Sequence, residues 1–184
     1  MHRLHTLPDS FYSDETGQPF EACCDCGEPL AESPDGHIIQ KAYAKGETIM
    51  EIAICVKCHD GLQESYSKES RESIWNFYLD HADLPGRLKK FSELPVGQPD
   101  FWINRCVTCG TLRNNAPEYV VAAQCIDGDL VYGETPLMMC LECTEKVVGL
   151  LSEASRDTYD RWMDRVNPPA PSTADDTPRV RVFI

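Results

Sequence analysis

The chain has 184 residues and 20.7 kDa, enough for one ordinary domain or two small ones, with 42% hydrophobic residues available for burial. Its formal charge is −13, with −9 over residues 1–100 (18 acids, 9 bases) and −4 over residues 101–184 (12 acids, 8 bases), which opposes non-specific binding to phosphate backbones and leaves room only for a local basic patch. No apolar run reaches membrane-spanning length. The start, Met1 to Thr6, has no apolar export segment, so the ten cysteines are expected as thiols or metal ligands in a reducing, cytoplasmic compartment.

Residues 1–22 read as an N-terminal arm, polar with scattered aromatics (Phe11, Tyr12, Phe20), packing on the module that begins at Cys23. His2 and His5 have a spacing that could bind metal, but a frayed terminus is the simpler expectation. Residues 23–82 form this first module. It opens on Cys23-Cys24-Asp25-Cys26-Gly27 and a Pro/Gly-bearing loop to Gly36. His37–Tyr43 and Thr48–Ile54 then read as two strands about a turn at Lys45-Gly46-Glu47, the second delivering Cys55-Val56-Lys57-Cys58. A helical pattern runs on to about Ala82.

Residues 83–100 read as a connector rich in Pro and Gly, with a short amphipathic piece from Leu88 to Leu94 and a solvated basic cluster at Arg87-Leu88-Lys89-Lys90. Residues 101–166 form a second module. It opens on Cys106-Val107-Thr108-Cys109-Gly110, continues through strands Tyr119–Ile126 and Leu130–Tyr132 about the turn Asp127-Gly128-Asp129, and reaches Cys140-Leu141-Glu142-Cys143 before a helical pattern from Thr144 to Val166. Residues 167–178 are a solvated linker, and Arg179–Ile184 alternates basic and apolar residues like a tethered strand, suited to docking in cis or to self-association in trans.

The C-x-x-C-G…C-x-x-C pattern thus occurs twice, with 28 or 30 residues between its cysteine pairs. Two such pairs supply the four thiolates of a closed tetrahedral zinc site, so the spacing predicts two structural Zn²⁺ ions. Cys23, Cys26, Cys55 and Cys58 would hold one; Cys106, Cys109, Cys140 and Cys143 would hold the other. A crossed pairing of the sets would need longer connections than such modules have. Repetition extends past the cysteines: with Cys58 set on Cys143, residues 67–73 match 152–158 without a gap, Leu62 falls on Val147, Tyr66 on Leu151, Ile74 on Tyr159 and Phe77 on Trp162. Equivalent burial of Phe77 and Trp162 is expected. Ser67 and Ser152 read as N-caps of a second helix in each copy, the other possibility being one bent helix per copy. Cys24 and Cys125 are left over, Cys125 as a core residue.

Each copy resembles a treble-clef zinc finger: a zinc knuckle, a β-hairpin, then a helix whose first turn carries the second ligand pair. The expected fold class is α+β, two small zinc-stapled modules related by internal duplication. The resemblance specifies an architecture shared by many functions. Iron centres of the rubredoxin kind are disfavoured because His59 and Thr144, not Gly, follow the second pairs. Four thiolates leave no open position for catalysis, and His37, His59 and His81 are scattered. The expectation is a non-catalytic interaction adaptor or regulator that binds another protein, the alternative being a nucleic-acid-associated zinc-finger factor.

Overall fold

A computed structural model describes residues 3–89 and 93–168. His2, residues 90–92 of the connector, linker residues 169–178 and the tail segment 179–184 lie outside the described residues. Those described form an α+β arrangement of a six-stranded antiparallel sheet and five helices. The strands are β1 (Arg3–Thr6), β2 (His37–Ala44), β3 (Glu47–Cys55), β4 (Glu118–Ile126), β5 (Asp129–Tyr132) and β6 (Leu137–Cys140). Their order is β1-β5-β4-β2-β3, and β6 shares with β5 the edge of β4 that faces away from β2. The helices are α1 (Val56–Glu64), α2 (Lys68–His81), α3 (Leu84–Lys89), α4 (Leu141–Gly149) and α5 (Glu153–Val166).

Both hairpins turn on two residues with positive φ, Lys45-Gly46 and Asp127-Gly128. That is the backbone a tight two-residue connection between twisted strands requires. The second hairpin is shorter than its sequence suggests. β5 leaves β4 after one short run, and β6 resumes the same edge, pairing Tyr119 with Cys140. No strand was expected at Leu137–Cys140; four residues after a proline give too short a pattern to recognise.

The two cysteine-bearing segments share one core rather than sitting side by side. β2 pairs with β4 along its full length, from His37 opposite Cys125 to Ala44 opposite Glu118, with Gln40 opposite Ala122. Tyr43 and Tyr119 stack across this seam with ring centroids 4.9 Å apart. His37 pairs with Cys55, and Tyr119 pairs with Cys140. The sequence separation from His37 to Tyr119 equals that from Gln40 to Ala122, so the middle of the seam sets each strand against the matching place in the other. Ile39, Ala42, Val120 and Ala123 are buried along it.

The helices meet on the same principle. Ser67 and Ser152 cap α2 and α5, accepting from the backbone N–H of Ser70 at 3.1 Å and of Ser155 at 3.3 Å, so each cysteine-bearing segment has two helices and not one bent helix. Ser67 N–H donates to Ser155 Oγ at 2.9 Å, and Ser152 N–H donates to Ser70 Oγ at 2.8 Å. The buried hydroxyls of Ser70 and Ser155 then bond to each other at 3.1 Å. Matched positions are similarly buried at Leu62 and Val147 and at Tyr66 and Leu151. They diverge further along, where Tyr159 and Trp162 are buried but Ile74 and Phe77 only half-buried. The expected equivalence of Phe77 and Trp162 therefore holds only in part.

The arm and the connector are more structured than their composition suggests. β1 extends the sheet by pairing with β5, while Ser13 Oγ and Asp14 N–H donate to the Glu51 carboxylate of β3 at 2.6 and 2.9 Å. The arm therefore reaches both ends of the sheet. Lys41, 2% exposed, completes the clamp with Nζ 2.8 Å from Asp14 and 3.3 Å from Glu51. Among the described residues of the connector the helix is α3, which Asp83 Oδ1 starts by accepting from Gly86 N–H; the piece expected from Leu88 to Leu94 lies partly outside the described residues. Nor is Arg87 a solvated cation. It lies 5.0 Å from the centre of the Trp102 ring and donates to the carbonyls of Trp102 and Pro136.

Two stability effects are expected from these contacts. Ser155→Ala removes the acceptor of Ser67 N–H, while the Ser70 hydroxyl keeps Ser152 N–H and Ser67 Oγ as partners, so it should cost about 1–3 kcal/mol in denaturant unfolding. Lys41→Met should cost roughly 2 kcal/mol at neutral pH. Hydrogen bonding to Lys41 lowers the Asp14 pKa below its ordinary 3.8; Glu51, although burial opposes it, is held below its ordinary 4.5 by the arm's donors and by Lys41. Depressed carboxylate pKa values contribute stability that is full above the ordinary values and fades as pH falls through the folded ones. The difference between Lys41→Met and wild type should therefore shrink below about pH 4.

Candidate metal centres

Each knuckle is a tight loop closed by its own backbone. Cys23 N–H donates to Glu28 O and Gly27 N–H to Cys23 O, both at 2.9 Å; in the second, Cys106 N–H donates to Thr111 O at 2.8 Å and Gly110 N–H to Cys106 O at 3.0 Å. Gly27 and Gly110 take φ of 76° and 74°, a conformation with little cost only for glycine. Each loop is also stitched to a strand: Cys24 N–H donates to Ala53 O of β3, and Val107 N–H to Met138 O of β6, both at 2.8 Å. The second cysteine pair of each set sits where a strand turns into a helix. Cys55 ends β3 and caps α1, its sulfur accepting from Cys58 N–H at 3.4 Å; Cys140 ends β6 and caps α4.

These constraints gather eight cysteines into two sequential sets, Cys23, Cys26, Cys55 and Cys58, and Cys106, Cys109, Cys140 and Cys143, with the sulfurs of each set within 4.8 Å of one another. Cys26 and Cys55 sulfurs are 4.0 Å apart, and those of Cys109 and Cys140 3.7 Å. A tetrahedral zinc–thiolate centre with bonds of about 2.3 Å has sulfur–sulfur edges of about 3.8 Å. Both sets therefore fit a metal ion held by four thiolates.

The protein prepares one thiolate per set. Burial disfavours the Cys23 thiolate, but the backbone N–H groups of Cys26, Cys55 and Asp25 outweigh it and bring the thiol pKa down to about 7. Cys106 is brought to about 6 against the same opposition, by Cys109 N–H, the Thr108 hydroxyl and Cys140 N–H. Burial pushes Cys55, Cys58, Cys140 and Cys143 up, and the charge of the first thiolate adds to this. A cation in the centre is what would offset four charges held this close.

The sequence singled out the cysteines but not what surrounds them. Thr108 and Thr111 place hydroxyls 3.2 Å from the sulfurs of Cys106 and Cys109, while the corresponding knuckle positions of the first set are Asp25 and Glu28. Small polar residues inside a knuckle were the only available signal. The remaining candidates stand apart. His59 engages Asp60 at 3.0 Å and Gln63 at 3.2 Å, and His81 packs edge-on to Phe77. His37 is buried in β2, which lowers its pKa, and exposed His5 lies against Gly97. Burial pushes the thiol pKa values of Cys24 and Cys125 up to about 12, with the neighbouring Cys23 and Asp25 charges adding to the effect at Cys24. Neither is a reactive thiol.

Comparison with known proteins finds no matching family, no matching curated protein and no matching solved structure. Among the described residues, no helix is long and apolar enough to cross a membrane.

Cys106→Ser should lower metal content from about two ions per chain to about one, measured by elemental analysis. Chelation of both ions should unfold the chain, because metal binding and folding are one equilibrium at such centres. Retention of two ions by Cys106→Ser would show that the second centre is not built from these four sulfurs.

Proposed function

We propose that the chain is a cytoplasmic, non-catalytic module of two structural zinc ions, formed by duplication of a treble-clef-like unit, which acts by binding another protein. Zinc suits four thiolates in a closed tetrahedron with helix starts at two of them, and the closed set leaves no position for a substrate. The reciprocal serine bonds and the matched register of β2 and β4 support the duplication. Ten free cysteines fit a reducing compartment.

The observation that carries the binding reading is on α2. Trp75 and Leu79, one turn apart, are 62% and 55% exposed. Under the alignment of the copies, α5 has Asp160 and Asp164 at the same two places. The matching positions are thus apolar and exposed on α2 and acidic on α5. A large exposed aromatic beside an aliphatic residue is what interfaces use as a central anchor. With a net charge of −13, the partner this surface fits is a protein presenting an apolar patch rimmed by Lys and Arg.

The test is the full-length, metal-loaded chain carrying Trp75→Asp and Leu79→Asp, which copies the α5 pattern. A partner with such a basic-rimmed patch, held by wild type in a defined binding assay, should be weakened at least tenfold, with metal content and unfolding unchanged. Binding to mixed DNA or RNA that survives the double substitution, or an unaltered protein partner, would overturn the assignment to α2.

A further inference from the structure

We propose that a recess between α1 and α5, beside the first cysteine set, binds a phosphate monoester. The recess is open to solvent, measures about 440 Å³ and is lined by Lys57, Cys58 and Leu62 of α1, Arg161, Trp162 and Arg165 of α5, and Asp25 of the knuckle. That volume suits a small ligand or a single modified side chain. Three cations converge there in a strongly acidic chain. Arg165 Nε and Nη2 donate to Asp25 Oδ1 at 3.0 and 2.5 Å. Arg161 donates to the neutral Thr158 hydroxyl at 3.2 Å, and neither Arg161 nor Lys57 forms an ion pair among the described residues. The indole Nε1 of Trp162, a residue 2% exposed, is buried with no acceptor among them.

A simpler explanation is that these cations only offset the charge of four thiolates. The second set argues against it. α2 approaches that set through Tyr78, which is close enough for the Cys106 charge to add to burial in raising its phenol pKa. Yet the positions matching Lys57, Arg161 and Arg165 are Glu142, Asn76 and Asp80. Within one chain, the three matched positions at the second set thus carry no cation, so the cations lining the recess at the first set are not a general requirement of a four-cysteine set. Two guanidinium forks and one ammonium suit a tetrahedral dianion, which can form paired hydrogen bonds with Arg and compete with Asp25 for Arg165. Leu62 and Gly61 supply an apolar wall for the body of the ester. A phosphorylated protein side chain and a free phosphorylated metabolite share this chemistry. The site is separate from the α2 face and independent of the reading given to that face.

Calorimetric titration of the full-length, metal-loaded chain tests it, using a phosphotyrosine peptide, a phosphoserine peptide, a nucleoside monophosphate and inorganic phosphate, each organic probe against its unphosphorylated form. At least one phosphorylated probe should bind saturably, and its affinity should fall at least tenfold in Arg161→Ala and in Lys57→Ala. The exposed position of Arg161 allows that change without disturbing the core, and metal analysis confirms that each variant is loaded. Asp25→Asn should tighten binding by releasing Arg165, and Glu142→Ala should leave it unchanged. Preference for a peptide over the nucleotide assigns the phosphate to a protein, and the reverse preference assigns it to a metabolite. Absence of binding by every probe, or binding indifferent to Arg161→Ala and Lys57→Ala, overturns the proposal.

Discussion

Everything in this fold depends on holding a knuckle against a strand-to-helix corner. A loop of five residues has almost no apolar surface and cannot stay closed through burial. Two backbone hydrogen bonds shape it, a third ties it to β3 or β6, and the sulfurs of the corner face it at the separation a four-thiolate centre needs. The corner is equally dependent. Cys55 and Cys140 are each the last residue of a strand and the cap of a helix, so the centre fixes the direction in which α1 and α4 leave the sheet. Those helices in turn carry Leu62, Val147 and Val148 onto the core.

The second organising contact is the seam between β2 and β4. It turns two thinly cored segments into a single buried layer, closed above by the serines at the starts of α2 and α5. Small hydroxyls suit that crossing because two helix N-termini approach each other there, and their exposed N–H groups need acceptors that occupy little space. Each serine supplies an acceptor to the opposite chain segment. Near the symmetric contacts the matched residues are alike in burial, while further out along α2 and α5 they differ, and the exposed Trp75 and Leu79 and the cation-lined recess both lie in the divergent part.

The sequence displayed the local features of this structure more plainly than its long-range ones. Cysteine spacing is a short-range signal, and it carried the grouping of eight cysteines into two sets. Turn chemistry carried Lys45-Gly46 and Asp127-Gly128, and serine followed by a helical pattern carried both breaks between helices. Pairings between residues far apart left no such mark. Nothing local in His37–Ala44 indicates that its second neighbour is Glu118–Ile126. The clamp of Lys41 on Asp14 and Glu51 likewise joins three segments, and a lone lysine inside an apolar strand pattern has no visible partner. β6 escaped notice because four residues after a proline are fewer than a periodicity needs. Arg87 looked solvated because its partners are carbonyls and a ring brought to it by the fold.

The long reach of the β2–β4 seam has a consequence during synthesis. All four sulfurs of the first set have left the ribosome once Cys58 has emerged, so that centre can load metal while most of the chain is unmade. β2 then waits with one edge unpaired until Glu118–Ile126 appears, several seconds later at roughly 5–20 residues per second. An open strand edge is an invitation to pair with a neighbouring nascent chain. Lys41, near the middle of that strand, carries a charge of the kind that blunts an open edge, and its partners, Asp14 of the arm and Glu51 of β3, emerge before β4 does.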